Sequence, residues 1–514
     1  MFLQFPEPVL GRTRCTRKDS VRVTEIFGIR IRLYVRVKGL PMPGKTSPVL
    51  PTAILLDGSG QAPQIDRVSV DDLMSLVPDR GRTPVQIGAI LILDVGAGLD
   101  PAQLLATLER RLPAVPRLRQ NLVHLPLFSG RPIWVDDPQF KITDHVSVMR
   151  CPSPAGVGAV LDVAAGLLMT PLPRDRALWA AALMTDVGAG QAALILRFHH
   201  VLADGVAGLA ILAGLADGVG EPQDSPFPRP RPTHPQFMAD AARDGLRAAR
   251  GFPAALVGFA RALSQFRPAL VSRLPSSSLN RPTGPLRRFA TVSCDLAEIH
   301  GVAHSNGATV NDVVLSSVTG ALHRLLAERQ ESVETFVLSV PVSFRRSTTG
   351  QHLGNRSGVT PLHLPGVGEP FGRLRAVARI TAAAKLNPPG ALNALLGPGF
   401  RLLAWTGLYQ RFIDHQHSVH TFVTNLRGPE TTLSLGGHPV VSVIPLAVAS
   451  GNITVSFAVL SYAGQLTVTL IADPETCPDL SRLRDLLQGE LEVLAGSVRP
   501  PGQMTVRDRE AQGS

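Results

Sequence analysis

Hydrophobic and polar residues follow a regular pattern along most of the chain. VQIGAILILDV (85–95) is a nearly continuous apolar run, which is typical of a buried strand. The runs LWAAALMTDV (178–187) and QAALILRFHH (191–200) predict a hairpin. DGVAGLAILAGLAD (204–217) then predicts a helix capped by Asp204, because Asp is a favoured residue at helix starts.

The second half of the chain repeats this alternation. RRFATVSCDL (287–296) and TFVLSVPVSFR (335–345) predict strands, and TVNDVVLSSVTGALHRLLAER (309–329) between them predicts a long helix. Three further alternating runs predict neighbouring strands of one buried sheet: PVVSVIPLAV (439–448), NITVSFAVLS (452–461) and QLTVTLIA (465–472). Strands that alternate with helices in both halves predict an α/β protein with two comparable lobes.

Composition divides the chain into five parts. A basic, Pro-rich arm without helical periodicity covers residues 1–60. Three interpretations of it stay open: a solitary strand, a poorly ordered segment, or a segment that is not part of the mature translation product. The first lobe spans 61–219, and a Pro-rich linker with a helical crossover region spans 220–285. The second lobe spans 286–497, and a tail covers 498–514.

The net charge of +11 is concentrated at the amino-terminal end, where residues 1–50 hold ten basic and three acidic side chains. The main body has no clustered Lys and Arg interleaved with aromatic residues, so no nucleic-acid partner is expected. Four cysteines without CxxC or zinc spacing, and no evident secretory signal, make the cytoplasm the default location. The amphipathic stretch 392–412 predicts either a packed surface helix or peripheral contact with a membrane.

The segment most indicative of chemistry is HHVLADG (199–205), an HHxxxDG pattern at the junction of a strand and a helix. Such a junction projects side chains into open space while both elements hold the backbone. A neutral imidazole accepts a proton from an alcohol at neutral pH, and His200 is the better candidate for this base. Asp204 caps the helix, and Gly205 permits a tight turn and leaves room for a substrate. His199 completes the motif.

Two other interpretations of the paired histidines stay open: ordinary loop residues and a metal site. The Glu of an HExxH metal motif is missing. A second cluster, DHQHSVH (414–420), places two rings on one side of a strand, but without a cysteine or third carboxylate nearby a solvated loop is favoured. We therefore predict no metal ion.

The order of several segments resembles the bacterial wax ester synthase/acyl-CoA:diacylglycerol acyltransferase family over roughly residues 65–495. HHxxxDG alone is shared with a wider acyltransferase superfamily, and the remaining segments narrow the resemblance. They are VPRLRQ (115–120), GRPIWVDDPQFKITDHV (130–146), RALWAAAL (176–183), GATVNDVVLSSVTGAL (307–322), VPVSFR (340–345), GNRSG (354–358), TNLRGP (424–429) and GNITVSFAVLSYAG (451–464).

This resemblance implies two similar chloramphenicol-acetyltransferase-like α/β lobes with a substrate tunnel between them. It implies that His200 takes the proton from an acceptor hydroxyl, whose oxygen attacks the thioester carbonyl of acyl-CoA without a covalent acyl-enzyme. His199 and Asp204 would support and orient this base. Acyl-CoA is then a co-substrate, and no cofactor is expected.

The resemblance also implies which residues contact the substrates. They are Asn311 and Asp312 of the second family signature, together with Asn425 and Trp179. For Asn311 an oxyanion donor and a simple helix N-cap are equally supported. The implied acceptor is diacylglycerol, or a fatty alcohol for wax esters, and the enzyme would be cytoplasmic or peripheral at a membrane or lipid-droplet surface.

The chain departs from the family pattern near Trp179. A Pro and a carboxylate usual around this tryptophan are missing from Arg176–Ala180, Pro171–Pro173 replaces a triplet that often carries Asp, and Lys141 stands where an acidic residue is commoner. Two alternatives therefore stay open beside triacylglycerol synthesis. One is a carrier-protein-dependent condensation-type acyltransferase, and the other is a weakly active or inactive paralogue that binds lipid.

Overall fold

The computed structural model describes two compact units of the chain, Met1–Pro63 and Gln64–Ser514. In the first unit, strands β1 (Thr24–Ile26) and β2 (Ile29–Ile31) pair antiparallel. The remaining described residues are 65–76, 83–96, 98–125, 130–188, 190–218, 226–247, 249–251, 277–343, 357–386, 406, 408–448 and 451–496. The predicted tail and most of the predicted arm lie outside these ranges.

Six strands form the first sheet of the larger unit, in the order β13, β14, β3, β8, β7, β6. Their bounds are β3 Gln86–Asp94, β6 Val146–Arg150, β7 Trp179–Gly188, β8 Gln191–His199, β13 Ser434–Leu435 and β14 His438–Leu446. The predicted hairpin is confirmed, because β7 and β8 pair antiparallel along most of their length. A separate antiparallel pair consists of β4 (Gln120–Val123) and β5 (Ile133–Asp136).

Helices of this first lobe follow its strands. They are α1 Val70–Ser75, α2 Pro101–Arg111, α3 Val157–Met169 and α4 Gly205–Leu215. Residues 234–247, inside the predicted crossover region, are also helical and are labelled α5. Ion pairs tie the crossover to the first lobe, with Arg67 2.5 Å from Asp240 and Arg131 2.7 Å from Asp244.

The second lobe contains the other six-stranded sheet, in the order β11, β10, β12, β15, β16, β9. Its strands are β9 Arg288–Asp295, β10 Thr335–Ser343, β11 Ser357–Pro365, β12 Thr421–Arg427, β15 Val455–Tyr462 and β16 Gln465–Ala472. Its helices are α6 Leu296–Ser305, α7 Val310–Glu328, α8 Pro370–Leu386, α9 Tyr409–Asp414 and α10 Leu480–Ala495. Most of the predicted amphipathic stretch 392–412 lies outside the described residues.

One prediction about strand pairing is wrong. The segment 439–448 was expected beside the two strands that follow it, yet β14 pairs antiparallel with β3 of the first sheet, whereas β15 and β16 pair with each other. Alternation along a strand specifies a half-buried face but does not specify the partner. The chain thus passes from the second lobe into the first sheet and back. The predicted boundary at residue 286 assigns β14 to the second lobe by sequence position, although this strand belongs to the first sheet.

Aliphatic side chains fill three cores. One lies in the second lobe, between its sheet and α6, α7 and α10, and a second lies in the first lobe around Trp134, Trp179 and α4. The third joins the lobes, because α3 residues such as Leu168 cluster with Ile195 of the first sheet and Ile471 of the second. Within the described ranges, no helix is both long enough and apolar enough to cross a bilayer.

Candidate active site

The HHxxxDG segment connects the end of β8 to the start of α4. His199 is the last residue of β8 and lies opposite Gln86 of β3. The backbone N–H of His200 donates to the carbonyl of Val85 at 2.9 Å, which fixes the chain just beyond the sheet. Asp204 is the N-cap of α4, and its Oδ1 accepts from the Ala207 N–H at 2.9 Å, as predicted.

The ring of His199 is held in one orientation. Its Nδ1 accepts a hydrogen bond from the Val201 N–H at 3.0 Å, which assigns the ring proton to Nε2 in the neutral form. The residue is buried, with 6% of its surface exposed. This arrangement makes His199 a support for the turn rather than a proton acceptor.

The ring of His200 has a different environment. The residue is partly exposed, and its Nδ1 lies 3.4 Å from the hydroxyl oxygen of Ser75. Burial of the imidazole lowers its pKa below 6.5, while a hydrogen bond to its own main-chain carbonyl and the nearby Asp204 carboxylate oppose that shift. The net direction favours a neutral ring at physiological pH, which is the form a general base needs.

Ser75 was not predicted from the sequence. It is the last residue of α1, a short helix that begins with reciprocal bonds between Ser69 and Asp72: the Ser69 hydroxyl donates to Asp72 Oδ2 at 2.7 Å, and the Asp72 N–H donates to Ser69 Oγ at 2.9 Å. The Ser-x-x-Asp spacing is a recognisable capping signal in the sequence. It predicts the helix, but it does not predict that the helix end meets His200.

Gly205 lies at a close contact between the lobes. A Cβ at this position would lie 2.7 Å from Cδ1 and 3.0 Å from Cδ2 of Leu426, a residue of β12 in the second lobe. The space that the sequence analysis assigned to substrate is therefore occupied by a leucine side chain. Its neighbour Asn425 is one of the predicted substrate residues, so the glycine brings the motif close to the second lobe.

Asn311 and Asn425 meet although 114 positions separate them. The Asn425 side-chain amide donates to Asn311 Oδ1 at 3.1 Å. Asn311 is not the N-cap of α7, because Thr309 occupies that position and its hydroxyl accepts from the Asp312 N–H at 3.3 Å. The capping interpretation of Asn311 is thus wrong, and the amide is available for another role.

Asp312 is committed to the fold. Its Oδ2 accepts from both the backbone N–H and the hydroxyl of Thr309 at 2.8 Å, and its Oδ1 accepts from the Thr381 hydroxyl at 2.7 Å. The residue is 2% exposed. These bonds complete a capping box and attach α8 to α7, so the geometry gives Asp312 a structural function rather than a substrate contact.

Trp179 lies in the core of the first lobe. Its indole N–H donates to the Leu118 carbonyl at 2.7 Å, and its ring stacks on His145 with centroids 4.7 Å apart. Only 3% of the residue is exposed. Its neighbour Leu178 lines the cavity described below, but Trp179 is not part of that lining.

A cavity of about 500 Å³ adjoins the motif. His199 lines it, together with Gln86 and Leu76 among others, whereas His200 is not part of its lining. The end of α1 connects His200 to this cavity: Ser75 contacts the His200 ring, and the next residue, Leu76, lines the cavity. The structure therefore shows a chamber beside the paired histidines within the described ranges, and the tunnel between the lobes stays a prediction.

The second histidine cluster is partly buried. His420 is fully buried, its Nδ1 accepts from the Val337 N–H at 2.9 Å, and burial lowers its pKa to about 4. His415 Nδ1 lies 2.9 Å from the Arg411 carbonyl at the end of α9. Across the part of the chain that the structure describes, no group of three or more His, Cys, Asp or Glu side chains is arranged to hold a metal ion.

Comparison with solved structures shows the class of fold. A wax ester synthase/diacylglycerol acyltransferase from Marinobacter aquaeolei is similar over 84% of this chain and 100% of its own, with a TM-score of 0.60 and 24% identity. The first condensation domain of a calcium-dependent antibiotic synthetase is similar over 84% of this chain and 97% of its own, with a TM-score of 0.57 and 19% identity. The chain therefore shares its fold with these two solved structures.

Sequence comparison shows the family. The model for the wax ester synthase/diacylglycerol acyltransferase catalytic domain matches residues 68–314, and the model for the family's C-terminal domain matches residues 353–495. A Mycobacterium tuberculosis protein named probable diacylglycerol O-acyltransferase is 30% identical over 415 residues, covering 77% of this chain and 88% of its own. The chain belongs to the wax ester synthase/diacylglycerol acyltransferase family and is an acyltransferase.

Proposed function

We propose that the protein transfers a long-chain acyl group from acyl-CoA to the hydroxyl of diacylglycerol, and also to fatty alcohols, with His200 as general base. The observation that supports this most is the arrangement of the β8–α4 junction. His199 and Asp204 are both held by hydrogen bonds to the turn, while His200 alone combines partial exposure with a pKa lowered by burial.

Ser75 supports the same assignment. A base that accepts at Nε2 must carry its proton on Nδ1, and the Ser75 oxygen 3.4 Å from Nδ1 is an acceptor for that proton. This contact is compatible with the tautomer in which Nε2 has a lone pair for the acceptor hydroxyl.

The reaction then balances without a covalent enzyme intermediate. His200 Nε2 takes the hydroxyl proton as the acceptor oxygen attacks the thioester carbonyl, and a tetrahedral oxyanion forms. When this intermediate collapses, the carbon–sulfur bond breaks, and the imidazolium returns its proton to the departing thiolate. An ester and free CoA thiol are the products.

The Asn311–Asn425 pair is our candidate for stabilising the oxyanion. The pair lies at the start of α7 and on β12, and β12 also supplies Leu426, which packs on Gly205 beside the base. With its oxygen engaged by Asn425, the Asn311 amide nitrogen is left to donate elsewhere. Preorganised amide donors of this kind typically contribute about 10²–10³ in turnover.

The departure around Trp179 is accommodated in the first lobe. Ala177, Leu178 and Trp179 are buried in the first lobe, and Arg176 pairs with Asp175 at the surface. This altered segment is therefore folded into the lobe, whereas Pro171 and Leu172 of the second departure line the cavity beside the motif.

We also propose that the enzyme works at a membrane or lipid-droplet surface. The lipid acceptors of the reaction reside at such surfaces. Two large apolar side chains are about half exposed here: Leu408, which directly precedes α9, and Phe412 within this helix. Insertion of such side chains into the interfacial region is a usual means of peripheral attachment.

An assay with purified protein tests the proposed reaction. The protein receives palmitoyl-CoA with dioleoylglycerol or hexadecanol, and both the lipid product and the released CoA thiol are measured. We expect both products from the unaltered protein and a loss of at least about 10²-fold in His200→Ala. The matched control is His199→Gln, which we expect to lower stability more than the rate of the chemical step.

Other outcomes would identify the alternatives. Turnover only with an acyl-carrier-protein thioester would replace acyl-CoA as donor and favour the condensation-type enzyme. Lipid binding without release of CoA would favour the inactive paralogue. Full activity of a folded His200→Ala would remove the base from this proposal.

A further inference from the structure

Tyr462 joins the second lobe to the strands that cross into the first sheet. It is the last residue of β15, yet its ring is buried in the core of the first lobe. We call β13, β14 and the turn between them, residues 434–446, the crossing ribbon. The Tyr462 hydroxyl accepts from the N–H of Leu433, just before the ribbon, at 2.7 Å. It donates to the carbonyl of Val440, within the ribbon, at 2.8 Å.

These two bonds meet at an irregular point of β14. The Val440 N–H donates to the Leu433 carbonyl at 2.8 Å, and the pairing of β14 with β3 shifts register between Val440 and Ser442. A bulge of this kind disrupts the ladder of hydrogen bonds locally. The Tyr462 hydroxyl therefore holds the crossing ribbon where its own strand pairing is weakest.

The ribbon is also attached to α4, the helix that begins at the paired-histidine motif. Asp217 lies just beyond the end of α4, and its Oδ2 accepts from the Ser434 hydroxyl at 2.9 Å and from the Gly437 N–H at 2.8 Å. The crossing ribbon is thus bonded to the end of α4 in the first lobe and to Tyr462 in the second.

The start of α4 contacts the second lobe as well. Leu426 of β12 lies against Gly205, and the pairing of β12 with β15 places Leu426 beside Leu460, two residues before Tyr462. The contacts form a closed ring, which runs from β15 through the ribbon to the end of α4, along this helix to Gly205, and back through β12. Because protein interiors are close-packed, a shift at one contact of this ring is transmitted to the others.

We propose that Tyr462 is a positioning residue for acyl transfer. Its hydroxyl sets where the asparagine pair of the second lobe stands relative to the base of the first. The pair is Asn311 and Asn425, and Asn425 moves with this ring of contacts because it precedes Leu426 on β12. The inference rests on the proposed function, in which His200 is the base and the asparagine pair stabilises the oxyanion.

Steady-state kinetics of Tyr462→Phe with palmitoyl-CoA and dioleoylglycerol test the proposal. The variant keeps the buried ring and removes both hydrogen bonds of the hydroxyl. A misplacement of about 1 Å costs up to about 10²-fold in rate, so we expect the smaller shift here to lower kcat about ten-fold. The KM for acyl-CoA should change less than about two-fold, because the lost interaction acts on the transition state.

Thr283→Val is the matched control for stability. The Thr283 hydroxyl is also buried, donates to the Gly451 carbonyl at 2.8 Å and accepts from the Arg287 guanidinium at 3.0 Å. Gly451 precedes β15, at the opposite end of this strand from Tyr462. Because one of its two lost bonds involves a charged group, Thr283→Val should lower the urea midpoint at least as much as Tyr462→Phe. Its kcat should stay within about two-fold of that of the unaltered protein.

Hydrogen exchange gives a readout that does not depend on catalysis. Without the Tyr462 hydroxyl the crossing ribbon opens more often, so peptides that cover 433–446 should exchange about ten-fold faster in Tyr462→Phe. The same peptides should exchange at an unchanged rate in Thr283→Val.

A double variant with Asn311→Ala tests how the effect reaches the reaction. If Tyr462 acts by placing the asparagine pair, Tyr462→Phe should lower kcat little further once Asn311 has lost its amide. Two independent losses would instead multiply, and that result would contradict the proposed role.

Failure of this inference is distinguishable from failure of the proposed function. No acyl transfer by the unaltered protein, or full activity of Asn311→Ala, would remove the proposed function and this inference with it. An unchanged kcat in Tyr462→Phe beside a reduced kcat in Asn311→Ala would overturn the inference alone. Equal losses of kcat in Tyr462→Phe and Thr283→Val, or unchanged exchange of the ribbon, would do the same.

If Tyr462→Phe does not fold, Ser434→Ala tests the ribbon through its other attachment. This variant removes only the hydroxyl that donates to Asp217, so kcat should fall about three-fold and the ribbon should exchange faster. An unchanged kcat in Ser434→Ala would then overturn the proposal.

Discussion

Replacing Asp204 separates its two effects, on helix capping and on the charge of His200. Asp204→Ala removes the acceptor for the N–H of Ala207, a fully buried residue of α4. A lost N-cap costs about 0.5–2 kcal/mol, and an unsatisfied buried N–H costs about 1–3 kcal/mol. We therefore expect the free energy of unfolding to fall by about 2 kcal/mol.

Asp204→Asn is the matched control for the charge. Asn keeps an oxygen acceptor and ranks with Asp as an N-cap, so it should lose less than about 1 kcal/mol. Both variants remove the carboxylate that raises the pKa of His200, so in both the acid limb of activity should move to lower pH.

Urea unfolding followed by tryptophan fluorescence measures the stability part. Trp134 and Trp179 are buried in the same core as α4, so their emission reports on the lobe that the cap holds together. If Asp204→Asn destabilises the lobe as much as Asp204→Ala, the hydrogen bond to Ala207 is not what Asp204 contributes. If neither variant moves the acid limb, the charge of Asp204 does not influence the base.

Three further variants test the assignments of neighbouring residues. Gly205→Ala should lower activity and cost about 1–3 kcal/mol through its clash with Leu426, and the double variant with Leu426→Ala should recover part of both losses in activity and thermal denaturation assays. Trp179→Phe removes the indole N–H that donates to the Leu118 carbonyl, so it should lower stability by about 1–2 kcal/mol and leave the KM for acyl-CoA unchanged. A raised KM in a stable variant would show that Trp179 contacts the substrate. Asp312→Ala should cost about 2–3 kcal/mol, because three hydrogen bonds from Thr309 and Thr381 lose their acceptor, and a stability close to that of the unaltered protein would contradict the capping-box assignment.

Local elements could be predicted well because short-range patterns determine them. The helix cap at Asp204 and the β7–β8 hairpin follow from residues close in sequence, and both are present. The spacing of Thr309 and Asp312 is a capping-box pattern that can be recognised in the sequence. It identifies Thr309 as the N-cap of α7 and so excludes Asn311 from that position. Family segments then predicted the two-lobed fold and the acyltransferase class.

Long-range contacts could not be predicted in the same way. The pairing of β14 with β3 joins segments some 350 positions apart, and an alternating pattern is compatible with either sheet. Trp179 was assigned to substrate because it lies in a family segment, but no local pattern shows that its indole N–H meets the Leu118 carbonyl. The contacts of Ser75 with His200 and of Gly205 with Leu426 are likewise consequences of packing alone.

The pH dependence of kcat/KM tests the central claim, that His200 acts as a neutral base, most directly. The base works only when unprotonated, so activity falls as pH drops through its pKa, and a pKa lowered by burial places the half-point below 6.5. Folding must be monitored in parallel, because burial also lowers the pKa values of His145 and His420 and acid therefore destabilises the folded state. The account predicts a half-point below 6.5 that disappears from the residual activity of His200→Ala. A half-point at or above 6.5, or the same acid limb in a folded His200→Ala, would contradict it.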